Sequence, residues 1–254
     1  MANAPTQLRE RVRTVTRTSL ERLGLVRRSQ QLGDLDPEFL SLYERCEPFT
    51  MTSIERMHAL YDAAGYVRRA GLEGAYVECG VWRGGSSMLA ALTLDPEREL
   101  WLYDTFEGMP EPTAEDGVDP IYGTDAHAEW ERNQTDTVNL WCYGALEDVQ
   151  ANMRSTGVAE ERLRFVKGKV EDTIPATLPE RIALLRLDTD WYESTRHELI
   201  HLYPRLVPGG VLVLDDYGHW PGARRAVDEY LAEQGIALLL NRIDNSGRIA
   251  IKPA

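Results

Sequence analysis

The chain has 254 residues, 43% of them hydrophobic and 27% charged, and a formal net charge of -13, which suits one large α/β domain with a real core rather than a disordered segment. The acidity disfavours nucleic acid or an acidic membrane surface as partner, because either needs a clustered basic face. No apolar run approaches the ~18 to 20 residues of a membrane span, and cysteines 46, 79 and 142 are too scattered for a disulfide framework or a paired zinc site, so a cytoplasmic protein that handles small molecules is expected.

The first elements read as helices. LRERVRTVTRTSLERLGLVRR sets Leu8, Val12, Val15 and Leu23 near one helical face, the pattern of an amphipathic helix that caps a domain or meets a dimer partner. Pro48 and FTMTS interrupt the helical reading before ERMHALYDAAGYVRRAG, and residues 1–70 form an expected helical cap. From Ala75 onward, strand-length apolar runs alternate with helical patterns, the signature of a mostly parallel sheet covered on both faces. Strands are expected over 75–81, 100–106, 163–170, 183–188 and 210–216, with helices over 86–94, 145–157, 192–206 and 223–235. ALLLNRIDNSGRIAIKP then reads as two strands turning at Asn245, Ser246 and Gly247, an antiparallel addition at the edge. The expected fold is a doubly wound α/β sheet of seven strands in one domain, residues 71–254. Residues 107–135 interrupt it with three prolines and no clear period, and a connection this long suggests a lid hinged at Gly108, Gly117 and Gly123.

Chemistry concentrates after the strands. The first leads into ECGVWRGGSS, where Gly80, Gly84 and Gly85 permit a tight turn and Ser86 can cap the helix that follows. Asp104 ends the next strand, about 20 residues on, where an acid that binds ribose hydroxyls occurs in doubly wound folds. The loop lacks the spacing preferred by a pyrophosphate, and Glu78 would repel one while accepting a hydrogen bond from an ammonium group. S-adenosylmethionine fits that description. The expected cofactor residues are Glu78, Gly80, Val81, Trp82, Gly84 and Ser86 on the first turn, Asp104, Thr105 and Phe106 on the second, and Gly168 and Val170 near the adenine.

LLRLDTDWYEST holds Asp188 and Asp190 just past a strand, and VLVLDDY holds Asp215 and Asp216 past the next. Asp34 and Asp36 show the same spacing without that context. In a parallel sheet all four later acids should meet at the ligand-binding edge, and four carboxylates there would repel one another unless a hard divalent cation such as magnesium sat among them.

The joint occurrence of ECGVWRGGS, LYDTFEGMP, LRLDTDWYEST and VLVLDDY followed by GARRAVDEY resembles the macrocin, mycinamicin and noviose O-methyltransferases, over about Phe49 to Glu229. That resemblance implies a class I methyltransferase, Rossmann-like, dependent on S-adenosylmethionine and magnesium, acting on a sugar of an antibiotic, and forming a homodimer or larger assembly. It implies that Asp188, Asp215 and Asp216 bind the metal and that Asp190 is the general base. From the residues alone, a catechol-type O-methyltransferase, a metal-dependent glycosyltransferase and a non-catalytic binding protein stay open. Acceptor contacts are sought among Tyr122, His127, Trp130, Tyr192, His219 and Trp220, with His127 and His219 as substitute bases.

Overall fold

The computed structural model describes residue 33 and residues 35–254. The amphipathic helix expected over residues 8–28, and Asp34, lie outside the described residues. Contacts divide the chain into two compact units, Met1–Ser41 and Leu42–Ala254, and the whole sheet belongs to the second. In chain order the helices and strands are α1 (Pro37–Cys46), α2 (Ile54–Arg69), β1 (Ala75–Cys79), α3 (Gly85–Thr93), β2 (Leu100–Asp104), α4 (Ala126–Asn133), α5 (Leu146–Arg154), β3 (Leu163–Lys167), α6 (Val170–Thr173), β4 (Ile182–Leu187), α7 (Tyr192–Leu202), β5 (Leu206–Leu214), α8 (Pro221–Glu233), β6 (Asn241–Arg242) and β7 (Arg248–Ile251).

The sheet runs β3-β2-β1-β4-β5-β7-β6. Its first five strands are parallel, and β7 lies antiparallel to both β5 and β6, as the alternation and the terminal turn imply. Strand order reverses between β1 and β4, so a crevice opens beyond their C-terminal ends. Every residue of these two central strands is buried. Leu185 and Leu187 pack with Leu199, Leu202, Leu212 and Leu214, each fully buried leucine contributing roughly 1.5–3 kcal/mol.

Strand ends differ from expectation in a consistent way. β1, β2, β3 and β5 stop at Cys79, Asp104, Lys167 and Leu214, two or three residues early, because the residues beyond them turn out of the sheet to build loops. β5 begins four residues early, at Leu206: the register shift between Ile182 and Leu184 absorbs Pro208 and Gly209, which read locally as breakers. The segment 107–135 is not wholly irregular either. It contains α4, whose first turn is capped by Asp125 accepting from the Ala128 N–H at 2.9 Å.

Candidate active site

A cavity of about 290 Å³ lies at the reversal of strand order. Gly80, Val81, Trp82, Ser86, Asp104, Thr105, Gly168, Val170, Asp188, Asp190, Asp215 and Asp216 line it, whereas Glu78, Gly84 and Phe106 do not.

On the β1–β2 side the walls are backbone. Gly80 adopts a φ of 83°, and a Cβ there would fall 1.9 Å from the Asp188 carbonyl oxygen, so only glycine lets the first turn approach β4 this closely. Asp104 ties the two turns together. Its Oδ2 accepts the Val81 and Trp82 N–H groups at 2.7 and 2.9 Å, and its Oδ1 accepts that of Phe106 at 2.6 Å. A carboxylate has about four acceptor sites, so a ligand hydroxyl can still be taken up. Trp82 and Phe106 hold left-handed φ values of 48° and 53°, a conformation that surrounding contacts must enforce in such large residues.

Register assembles the other side. Cys79 of β1 pairs with Leu187 of β4, which pairs with Leu214 of β5. Asp188 and Asp215 are therefore the next residues on adjacent strands, and the Asp188 N–H donates to the Cys79 carbonyl while that of Asp215 donates to Leu187, both at 2.9 Å. Asp188, Asp215 and Asp216 present carboxylate oxygens within 4.8 Å of one another; Asp190, Asp216 and His219 form a second such group. Asp190 is the one acid of the quartet with a left-handed backbone, at φ 66°, and its Oδ1 accepts the Trp220 indole N–H at 2.7 Å.

Two arginines sit among these acids. Arg186, 2% exposed, donates to Glu78, Asp188 and Asp215 at 2.6, 2.7 and 2.6 Å. Arg56, from the first turn of α2, bonds Asp215 and reaches Asp244 at 3.0 Å. Glu78 is thus committed. It also accepts from Tyr76 at 2.9 Å and from the Ser87 hydroxyl, so the expected bond from Glu78 to a ligand ammonium is replaced by a structural role as the counter-ion that holds Arg186.

Part of the negative charge is left over. Burial, opposed by Arg186 but aided by Asp215 and Asp216, pushes Asp188 well above the usual carboxylate range, and burial with the charges of Asp190 and Asp215 does the same to Asp216. Burial would raise Asp215 as well, but Arg186 and then Arg56 outweigh it and the net shift is downward. Burial and then the charge of Asp188 push Asp190 up to about 8. Three hard oxygen donors with unbalanced charge suit a divalent cation of the magnesium type.

Aromatic residues close the acceptor side. Trp191 and Trp220 meet edge to face at 5.1 Å, Trp141 stands 5.6 Å from Trp191, and the His219 ring stacks on Trp220 at 4.9 Å. Of the acceptor residues sought in the sequence, His219 and Trp220 line the cavity. Tyr122 touches the edge of His219 from outside, His127 lies exposed beside Glu111 and Glu131, Trp130 donates to the Met109 carbonyl at 3.0 Å, and the Tyr192 hydroxyl turns to Glu229 at 2.7 Å.

With that geometry in place, the family model described as macrocin O-methyltransferase (TylF) matches residues 44–250. The chain belongs to the macrocin O-methyltransferase family. It is 36% identical over 218 residues to the 8-demethyl-8-(2,3-dimethoxy-alpha-L-rhamnosyl)-tetracenomycin-C 4'-O-methyltransferase of Streptomyces olivaceus, covering 84% of this chain and 79% of that one. It is also 36% identical to the mycinamicin III 3''-O-methyltransferase of Micromonospora griseorubida, over 78% of this chain and 76% of the other. Among solved structures the O-methyltransferase NovP superposes with a TM-score of 0.69 at 34% identity, over 81% of this chain and 83% of that one. The calicheamicin methyltransferase CalS11, at 20% identity and a TM-score of 0.55, shares the fold. This macrocin-type protein is therefore a methyltransferase. In it, the residues that pattern reading overlooked are Arg56, Arg186 and Trp141. Arg186 had a signal: a charge inside a fully buried strand requires a partner, and Glu78 in the neighbouring strand supplies it. Arg56 had none, since 159 residues separate it from Asp215.

Proposed function

We propose that this family member transfers a methyl group from S-adenosylmethionine to a sugar hydroxyl of a small-molecule glycoside in antibiotic biosynthesis, with magnesium at the acid cluster. One observation carries the reading: the glycine turn with Asp104 and the acid quartet face each other across a single cavity. The named substrates of the relatives support the acceptor class.

The first turn and Asp104 hold the donor, with Asp104 accepting from ribose hydroxyls, the Gly80 to Ser86 backbone enclosing the methionine end, and Gly168 to Val170 beside the adenine. When bound, S-adenosylmethionine supplies an electrophilic methyl group, and magnesium held by Asp188, Asp215 and Asp216 makes a sugar hydroxyl more acidic. Asp190 takes the hydroxyl proton. Trp220 donates to Oδ1 and so fixes the orientation of the carboxylate that receives the proton. The tryptophan wall excludes water and orients the acceptor, as transfer requires.

The test follows a labelled methyl group from S-adenosylmethionine into a panel of glycosylated natural products, catechols and nucleotide sugars, with magnesium or with a chelator. Labelled glycoside only with metal is the expected result. Labelled catechol alone would reassign the acceptor, and undiminished transfer with chelator would remove the metal.

A further inference from the structure

The segment 107–135 is tied to residues 138–141 by several hydrogen bonds, Met109 N–H to the Trp141 carbonyl and Asn139 N–H to the Glu107 carbonyl among them, and three further contacts reach the two loops that carry the acid quartet. The Trp191 indole donates to the Pro110 carbonyl at 3.0 Å. Asp119, 1% exposed, stands 3.4 Å from His219 Nε2. Asp116, with no exposed surface, accepts the Tyr192 N–H on Oδ1 at 2.6 Å, while its Oδ2 accepts from the Thr113 N–H and hydroxyl at 2.7 and 3.0 Å.

The third anchor is unusual for its position. Tyr192 opens α7, and the residue before it, Trp191, makes no side-chain cap. The first N–H groups of a helix lack internal partners, and a carboxylate is a favourable acceptor there. Asp116 supplies that acceptor from 76 residues away, two positions beyond Asp190. It is also wedged against α8: a Cβ on Gly222 would lie 2.4 Å from Asp116 Oδ1. Asp190 meanwhile sits in a left-handed conformation inside a tight turn closed by the Trp191 N–H on the Thr189 carbonyl at 2.7 Å, and Tyr192 is the first residue past that turn.

We infer that Asp116 is a positioning residue: by capping α7 from the insertion it fixes the Asp190 backbone, so that docking of residues 107–135 and alignment of the base are one event. This rests on the assignment of Asp190 as the base. Without the cap, the start of α7 frays and the Asp190 carboxylate leaves its line to the acceptor hydroxyl. Displaced catalytic groups of this kind lose turnover by roughly 10- to 100-fold.

The experiment compares Asp116→Ala and Asp116→Asn, each alone and combined with Asp190→Asn, by kcat, KM and calorimetric affinity for S-adenosylhomocysteine. Asp116→Ala is expected to lower kcat roughly 10- to 100-fold with cofactor affinity within about twofold of the parent. Asp116→Asn keeps an acceptor oxygen for Tyr192 but sets an amide NH2 against the Thr113 N–H, and is expected to restore part of kcat. In the Asp190→Asn background, Asp116→Ala is expected to add little, because residues that act through one group are not additive. Losses that multiply in the double variant, or unchanged kcat in Asp116→Ala, would overturn the inference. Full turnover in Asp190→Asn alone would instead overturn the base assignment. Should Asp116→Ala fail to fold, Thr113→Val, which removes one of the bonds holding Asp116, is expected to lower kcat less while leaving cofactor affinity alone, and unchanged kcat there would count against the inference.

Discussion

Asp104 and Asp215 are carboxylates where a parallel strand ends, the first half-buried and the second buried, and they are satisfied in opposite ways. Asp104 accepts three backbone N–H groups from two adjoining turns. Asp215 is held by side chains from distant parts of the chain: Arg186 in the neighbouring strand, Arg56 in α2, and Thr52 just before it at 3.3 Å. The first arrangement is local, drawn from the two turns that Asp104 joins. The second gathers four carboxylates around two arginines, and burial first, then the neighbouring acids, pushes Asp188, Asp190 and Asp216 above the usual carboxylate range. One side of the cavity is suited to holding a ligand, the other to chemistry.

Removing function from the charged side should produce the largest effect. Asp190→Asn keeps the shape and the bond from Trp220 but cannot take a proton. Turnover is expected to fall by roughly 10² to 10⁴, the usual worth of a positioned general base, with cofactor and metal binding near normal. Steady-state kinetics and calorimetry check this. Loss of magnesium binding, with activity regained at high metal concentration, would show that Asp190 is a metal ligand rather than the base.

Arg186→Met tests the charge trade itself. It leaves Glu78, Asp188 and Asp215 without their shared cation inside the sheet, and stranding buried charge typically costs about 3–5 kcal/mol. Urea unfolding should show a loss of that size. A small loss would mean that the acids simply become protonated when the cation is gone.

The backbone side should respond more mildly. Asp104→Ala removes one charged acceptor and leaves the turns with unpaired N–H groups, so affinity for S-adenosylhomocysteine should fall by about 1.5–3 kcal/mol, roughly 10- to 150-fold. Unchanged affinity would end its assignment to the ribose.

The same division explains how much could be read before the structure. The sheet, the glycine turn and the convergence of the acids were legible because each depends on local pattern plus one topological rule, that ligands meet parallel strands at their C-terminal ends. What escaped was pairing. Glu78 read as a cofactor acceptor although Tyr76 and Ser87 are near in sequence, because their hydroxyls become donors to it only in the fold, and its charged partner is Arg186, in register on β4 and 108 residues away. Asp116 read as one acid in an irregular loop, and its partner is a backbone N–H that only a folded α7 presents. Side-chain pattern does not encode such a contact.

Glu198 offers the smallest and cleanest test, because it is a buried acid satisfied neither by backbone donors nor by arginine. It has no exposed surface, its Oε1 accepts from the Thr189 hydroxyl at 3.0 Å, and its Oε2 has no hydrogen-bond partner among the described residues. Burial pushes it well above its ordinary value of 4.5, so the folded protein keeps the proton where the unfolded chain releases it. Below about pH 4.5 both states are protonated and the residue costs nothing. Above that, the unfolded state gains from ionisation that the folded state cannot match, and stability is lost steadily as pH rises toward the folded pKa. Glu198→Gln keeps the shape and the oxygen that Thr189 needs, and it cannot ionise in either state. Its Tm should therefore exceed that of the parent by a margin that grows as pH rises above about 5, each ~1 kcal/mol appearing as roughly 2–4 °C in a domain of this size. A margin that shrinks with pH would mean that Glu198 is ionised in the fold, and that a cation or donor reaches the interior behind Thr189 much as Arg186 reaches Asp215.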